Sequence, residues 1–341
     1  MEDASPVTLL VLNFNGKHYL KRCLDSLLAT NYPHFEVVVV DNGSTDGSKD
    51  FIKSNYPNVK LIEHDRNYGY TLGYNLVMDK IQTEYIALIN NDIVVETNWL
   101  KELMVHIKDD DVAAVVPKMK FPDKKRINSA GGSCDIFGTG WNRGNGEIDR
   151  DQFNVVQEVF YGNGGALLIK KQVWQEIGPF DERYFMYGED LDWCWRARLK
   201  GHKIIYVPHA EVYHHWCGSG GAIVNMLERH WLSTVLKNYS LKNLVRIIPR
   251  YLALKTLKII WLIMYGQSDV KFVAIKGILW NLINFRDTWK KRVQVQMSRK
   301  VSDVEICKHM FKRSFELLLG LKKIEHPILT SLLTEKEASS A

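Results

Sequence analysis

An α/β architecture, a largely parallel sheet flanked by helices, is what the first two thirds of this 341-residue chain predict, on two observations. Short apolar runs rich in Val, Ile and Leu alternate with helical patterns, and the runs end abruptly in Asn, Asp and Gly. A third observation, Lys and Arg interleaved with large apolar side chains from residue 225 onward, predicts a helical, amphipathic C-terminal extension.

Residues 7–14 read as a buried strand, and 17–29 as a helix with Leu20, Cys23, Leu24 and Leu27 among its apolar positions. Residues 35–40 are a second strand. The turn cluster 41–47 follows and leads into a helix with Ser44 or Thr45 as its cap. A third strand at 59–63, a helix at 70–80, a fourth strand at 85–90, a helix at 98–107 and a strand at 112–117 complete this half. Between 121 and 151 the pattern dissolves into Gly, Asn, Asp and Arg, which predicts a long loop or loose hairpin of the kind that usually serves function. Regular structure resumes with a strand at 165–169, helices at 171–177 and 189–200, and strands at 203–207 and 211–214.

With 46% hydrophobic and 25% charged residues the chain buries a full core and is not disordered. Residues 1–6 carry Glu2 and Asp3 and no basic region ahead of an apolar stretch, so a cleaved secretory signal is not expected and the cytoplasm is the expected compartment. The five cysteines, Cys23, Cys134, Cys194, Cys217 and Cys307, are odd in number and never form a C-x-x-C pair, which argues against a disulfide framework or a structural zinc site.

The net charge of +6 conceals a division. Residues 1–234 hold 25 Lys+Arg against 31 Asp+Glu, residues 235–300 hold 14 against 2, and residues 301–341 hold 6 against 6. A basic segment on an acidic body suggests an anionic partner. The apolar runs 257–265 and 278–285 are too short to span a bilayer, and Lys255, Lys258, Lys271 and Lys276 interrupt any extension. Arg246, Arg250, Lys255 and Lys258 fall within one half of a helical wheel, with Ile247, Ile248, Leu252, Leu254 and Ile259 largely on the other faces. Such a helix lies in an anionic membrane interface, or packs on the body with a solvated basic face. Nucleic acid is not expected, because bulky aliphatic side chains between the bases serve nothing against phosphates.

Open α/β sheets bind ligands at the carboxyl ends of their strands. There the sequence places Asn13, Asn15 and Gly16 after the first strand, Asp41 and Asn42 after the second, and Asn90, Asn91 and Asp92 after the fourth. Each triplet alone is a turn or a cap; repeated at three strand ends they suggest a nucleotide pocket. Asp92 stands where a hard divalent cation bridges a carboxylate to a diphosphate. A second cluster, Gly188-Glu189-Asp190-Leu191-Asp192-Trp193, opens a helix in which Asp192 can pair with Arg196. Carboxylates there suit the helix N-terminus structurally, and Glu189 or Asp190 also suits removal of a proton from an attacking hydroxyl. His214 and His215, beside the glycine-rich 217–221, suggest a metal or phosphate contact on a mobile loop.

In order and spacing over residues 7–220 these segments resemble glycosyltransferase family 2 with its GT-A fold, closest to the rhamnosyltransferase-like branch. The matching pieces are Val11-Leu12-Asn13-Phe14-Asn15-Gly16, the run from Val38 through Asp41-Asn42-Gly43-Ser44-Thr45-Asp46, Asn67-Tyr68-Gly69 with Asn75, and Leu88-Ile89-Asn90-Asn91-Asp92. Gly164-Gly165-Ala166-Leu167-Leu168-Ile169 and Tyr187-Gly188-Glu189-Asp190-Leu191-Asp192 complete them. The resemblance implies an inverting transfer from a nucleotide-diphospho-sugar to a glycan or lipid-linked acceptor in surface glycan assembly. It implies that Asp41 contacts the base, that Arg66, Asn67 and Gly69 lie near the nucleotide with Asn13, Asn15, Asn42, Asn90 and Asn91, and that Asp92 holds Mg2+ or Mn2+. Glu189 and Asp190 supply the base, His214 joins the metal or diphosphate, and Asp192, Trp193 and Gly165 serve the acceptor or support the site. Asn90 stands at the first position of the family's D-x-D, one carboxylate fewer.

The implied organisation is a catalytic domain at 1–224, with a donor half at about 1–118 and an acceptor half at about 119–224, then a helical basic region at 225–341, peripheral on the inner face of the membrane. The competing functions are a sugar-phosphate nucleotidyltransferase, which lacks its glycine-rich basic loop after the first strand here, and a silent glycan- or membrane-binding module of the same fold. A dinucleotide-dependent oxidoreductase fits less well still, since no G-x-G-x-x-G follows the first strand.

Overall fold

The computed structural model describes residues 4–215, 221–265 and 272–314. The glycine-rich stretch after His215 read as a mobile loop lies outside the described residues over 216–220, as do Cys217 and Lys271. The other four cysteines are free thiols.

Strands β1 (Val7–Asn13), β2 (Phe35–Asp41), β3 (Lys60–Glu63) and β4 (Tyr85–Asn90) run parallel in the order β3-β2-β1-β4. They are joined by helices α1 (Lys17–Leu28), α2 (Ser48–Asn55) and α3 (Gly69–Met78). The chain continues through β5 (Ile93–Val95), α4 (Trp99–Ile107), β6 (Val112–Lys120), β7 (Ile127–Ser129), β8 (Gly132–Cys134), β9 (Gly140–Asn142) and β10 (Gln157–Glu158). Then come β11 (Ala166–Lys170), α5 (Lys171–Ile177), α6 (Glu189–Leu199) and β12 (Lys203–His214). Beyond β4 the sheet runs β11-β6-β12-β10, with β11 antiparallel to both neighbours and β12 parallel to β6. β1 is buried along nearly its whole length, as a sheet covered on both faces requires. Leu9, Val11, Val39, Ala87 and Ile89 pack with Leu20, Leu24 and Leu27 of α1 and Trp99, Leu103 and Ile107 of α4 in one core cluster. Each such large side chain contributes about 1.5–3 kcal/mol when removed from water.

Three expectations are corrected. Helix α2 begins at Ser48 after Gly47 in the left-handed conformation, not at Ser44 or Thr45. Those two residues are drawn into the turn instead: Ser44 N–H donates to Asp41 Oδ1 (2.8 Å) and Thr45 N–H to Asn15 Oδ1 (2.8 Å). The two strands at 203–207 and 211–214 are one strand, β12, whose register on β6 shifts between Val207 and Glu211. The stretch 121–151 is not a free loop. It contains β7 and the paired strands β8 and β9, so the hairpin alternative holds, and Asp149 is pinned by buried Lys118 and by Lys120 (both 3.1 Å).

The chain divides into two compact units. The first comprises residues 4–132, 142–197 and 202–215 and carries the large sheet. The second comprises 133–141, 198–201 and the described residues from 221 onward. In it are helices α7 (Gly221–Asn238), α8 (Leu241–Tyr265), α9 (Val273–Ile283), α10 (Phe285–Met297) and α11 (Asp303–Lys308). Residues 133–141 group with these helices because Tyr239 Oη donates to Ile136 O (2.9 Å) and Phe311 N–H to Cys134 O (2.9 Å). No helix among the described residues is long and apolar enough to cross a membrane.

The α8 wheel expected to present four bases outward is also corrected. Glu228 of α7, 2% exposed, draws in Lys255 (2.7 Å) and Lys258 (2.8 Å). Lys255 is itself buried, because a carboxylate out of water is tolerated only with a cation against it. Arg246 and Arg250 remain exposed.

Candidate active site

The register of the parallel strands gathers the strand-end residues. Asn13 lies opposite Asp41, and Leu12 opposite Asn90, so the ends of β1, β2 and β4 are adjacent. Asn13 is the hub. Its amide donates to Asp41 Oδ2 (2.9 Å) and Ser44 Oγ (3.2 Å), and its carbonyl accepts from Asn91 Nδ2 (2.7 Å). Asp41 is wholly buried, with its other oxygen on Ser44 N–H, so it braces the turn from beneath. Asn15, at φ 48, shapes the same turn through Thr45.

Asn42 ties the next loop to this edge. Its amide donates to Asn67 Oδ1 (3.0 Å) and Gly69 O (2.9 Å), and its carbonyl accepts Tyr68 N–H (3.1 Å). Gly69 stands at φ +72, and a Cβ there would lie 2.3 Å from Phe185 O, so only glycine allows α3 to start against the 180–188 segment. Arg66 is exposed, with its guanidinium 4.8 Å from the centre of the Tyr68 ring.

Antiparallel β11 begins where β4 ends, which brings its preceding turn to the same edge: Asn90 N–H donates to Gly165 O (2.9 Å). Gly164 N–H donates to Asp190 Oδ2 (3.1 Å), while Leu191 N–H holds Asp190 Oδ1 (2.7 Å). Tyr70 Oη donates to Gly164 O (2.6 Å), and a Cβ on Gly164 would meet that hydroxyl at 2.7 Å. Asn163 sets the turn by accepting Gly165 N–H (2.8 Å) and donating to Asn142 Oδ1 (3.3 Å). Tyr70, Gly164, Asn163 and Asn142 were not singled out as site residues; only the pairing of β11 with β4 brings them there.

The two neighbouring carboxyls differ. Glu189 is 5% exposed, and its Oε2 has no hydrogen-bond partner among the described residues. Burial, then the charge of Asp190, pushes its pKa well above the usual carboxylate range. Asp190 keeps part of its surface open. Burial raises its pKa to about 6, and the N–H groups of Gly164 and Leu191 oppose that rise by stabilising its anion. Of the two, Glu189 is the more strongly disfavoured as an anion, and Asp190 is the one whose anion meets N–H donors.

Asp192 and Trp193 face the interior of the fold. Asp192 is wholly buried and pairs with Arg196 (3.0 Å), which in turn donates to Ile177 O and Pro179 O; Trp193 Nε1 donates to Gly178 O (3.2 Å). Both support α6.

Antiparallel pairing of β12 with β5 sets His214 opposite Ile93, and so beside Asp92. His214 Nε2 and Asp92 Oδ1 are 3.4 Å apart, and His214 Nδ1 lies 3.4 Å from Asn128 Oδ1. Two electron-rich atoms that close need a positive centre between them, a proton or a metal ion. With its proton on Nδ1 the ring donates to Asn128 and turns its Nε2 lone pair toward Asp92, the arrangement a metal-binding histidine takes. No group of three or more His, Cys, Asp or Glu converges among the described residues. The carboxylate and imidazole donors of Asp92 and His214 are of the kind a cation sharing phosphate and water ligands takes.

The family model described as Glycosyl transferase family 2 matches residues 8–178. The chain is 30% identical over 245 residues to an N-acetylglucosaminyl-diphospho-decaprenol L-rhamnosyltransferase of Mycobacterium tuberculosis, spanning 65% of this chain and 79% of that protein. Among solved structures, GalNAc-T7 with UDP, GalNAc and Mn2+ superposes with a TM-score of 0.59 at 16% identity, covering 83% of this chain and 58% of that one. The mannosyltransferase PcManGT of Pyrobaculum calidifontis with GDP-Man and Mn2+ gives 0.53 at 16% identity, covering 87% and 86%. These two likenesses bear on the fold.

Proposed function

The chain belongs to glycosyl transferase family 2, with the GT-A fold, and from that premise we propose an inverting glycosyl transfer in which Asp190 is the base. The donor is a nucleotide-diphospho-sugar and the acceptor a hydroxyl on a lipid-linked or other glycan of cell-surface assembly. The observation that carries the assignment is the asymmetry of the pair: Glu189 is buried with Oε2 unpartnered among the described residues, while Asp190 is partly open and held by two backbone N–H groups.

In the transfer, Asp190 takes the proton of the acceptor hydroxyl as that oxygen bonds to the anomeric carbon from the face opposite the diphosphate. The bond from that carbon to the diphosphate breaks, its electron pair leaves with the nucleoside diphosphate, and the configuration inverts. Asn13, Asn15, Asn42, Asn67, Gly69, Asn90 and Asn91 shape the nucleotide side, with Asp41 bracing them and Arg66 offering an exposed cation. Asp92 and His214 would hold Mg2+ or Mn2+, whose bound charge would stabilise the departing diphosphate. The imidazole in that donor set favours manganese over magnesium. Residues 1–118 serve the donor and 119–224 the acceptor.

A lipid-linked acceptor is supported by the diphospho-decaprenol in the relative's name; with such an acceptor the protein works peripherally on the inner face of the membrane. A thermal-shift screen of UDP, GDP and dTDP sugars with and without Mn2+, followed by turnover assays, tests the proposal. One nucleotide class should stabilise the protein in a metal-dependent way. Stabilisation by none, or donor binding without any turnover, overturns it, the second outcome in favour of a silent binding module.

A further inference from the structure

Helix α10 carries its polar face inward. Thr288 and Arg292 are buried, and Arg292 donates to the carbonyls of Leu236 and Tyr239 (both 2.6 Å) at the end of α7. Gln296 donates to Lys237 O (2.8 Å) and Asn238 O (3.1 Å). The last turn of a helix leaves its carbonyls without intrahelical partners, so this face of α10 is consumed in capping α7. Among the side chains that remain exposed is an apolar row. Phe285, Trp289, Val293 and Met297, four residues apart, are 44%, 40%, 45% and 82% exposed, and Leu282 and Ile283 at the end of α9 are 64% and 83% exposed.

A contiguous exposed run of this kind marks an interaction surface. Arg286 and Lys290 stand exposed beside it, and the one carboxylate on α10, Asp287, is paired with Lys291 (3.1 Å). Charge selects the occupant. Residues 235–300 hold 14 Lys+Arg against 2 Asp+Glu, so a second copy would meet like charge, whereas anionic phospholipid complements it and accepts aromatic rings at headgroup depth.

We propose that the α9–α10 corner, led by Phe285 and Trp289 with Arg286 and Lys290 at their side, lies in the headgroup boundary of an anionic bilayer. The inference rests on the peripheral-membrane reading above and assigns the contact to α10, since Lys255 and Lys258 of α8 are engaged by Glu228.

Cosedimentation of the full chain with phosphatidylcholine vesicles, with and without phosphatidylglycerol, tests it. Wild type should sediment with the anionic vesicles. The double variant Phe285→Ser, Trp289→Ser should bind them on the order of 100-fold more weakly, from two aromatic side chains left in water. Arg286→Glu with Lys290→Glu should bind about 10-fold or more weakly and lose the preference for phosphatidylglycerol. Wild type left in the supernatant, or either double variant sedimenting like wild type, overturns the proposal. So does a dimer in light scattering that the Phe285, Trp289 variant splits and vesicles leave intact. Donor hydrolysis is measured on the same preparations without vesicles: its absence in wild type with vesicle binding intact would sink the enzyme assignment and leave the membrane contact standing.

Discussion

At the carboxyl edge of the sheet the buried polar side chains, Asn13, Asp41 and Asn42, are satisfied by neighbouring turns, and Asp190 and Arg66 are left open to solvent. In the helical unit the buried polar groups, Glu228, Lys255 and Arg292, lie inward, and Phe285, Leu282 and Trp289 are what solvent meets. Each of these buried charges and amides is paired, as the cost of an unpaired buried polar group demands. What differs is the remainder. A polar remainder at strand ends suits a small, charged, hydroxyl-rich ligand, and an apolar remainder rimmed by cations suits a lipid surface.

The largest expected effect strikes the open edge. Asp190→Asn should lower kcat by about 10³-fold while donor KM stays close to wild type, as loss of a general base does. In wild type, kcat/KM should rise with pH and level off above about 6, as Asp190 loses its proton. The same group carries a stability signature. Its folded pKa exceeds the unfolded 3.8, so the stability it adds is fully present below pH 3.8 and is lost as pH rises through about 6. Asp190→Asn should therefore raise Tm at pH 8, with a gain that shrinks toward pH 4. A variant with normal kcat would remove the open edge from the chemistry.

In the helical unit, Glu228→Leu should cost about 3–5 kcal/mol of stability, since it strips the buried carboxylate from Lys255. Denaturant unfolding followed by circular dichroism measures it; a loss below about 1 kcal/mol would mean that the inward charges contribute little. Asn128→Ala should weaken Mn2+ binding to the nucleotide-bound protein about 10-fold by releasing His214 Nδ1, read by metal titration of the thermal shift. The smallest change is expected for Glu189→Gln, which keeps the shape of a buried side chain whose anion burial disfavours and should leave turnover near wild type. A collapse of kcat there, with Asp190→Asn active, reverses the two roles.

Much of this was legible in the chain. The strands that became β1, β2 and β4 were readable because buried parallel strands are continuous apolar runs, and their polar ends, Asn13, Asp41 and Asn90, announce themselves where the runs stop. The short strands β5, β7 and β8 were not legible. Three residues hold no periodicity, and they become strands only because β12, β6 and β9 supply hydrogen-bond partners. Asn128 and Gly164 were missed for the same cause, since each acquires its role from a partner more than 20 residues away.

The order of apolar runs and strand-end amides along the chain determined by itself the α/β class, the candidate carboxylates and the basic character of the last third, because burial periodicity and charge are properties of neighbours in sequence. Which of Glu189 and Asp190 is the more deeply buried, that His214 reaches Asp92, and that α10 turns Arg292 inward and Trp289 outward were decided only by the tertiary structure. Those outcomes depend on desolvation and on distances between groups far apart in the chain, and neither is written in local order.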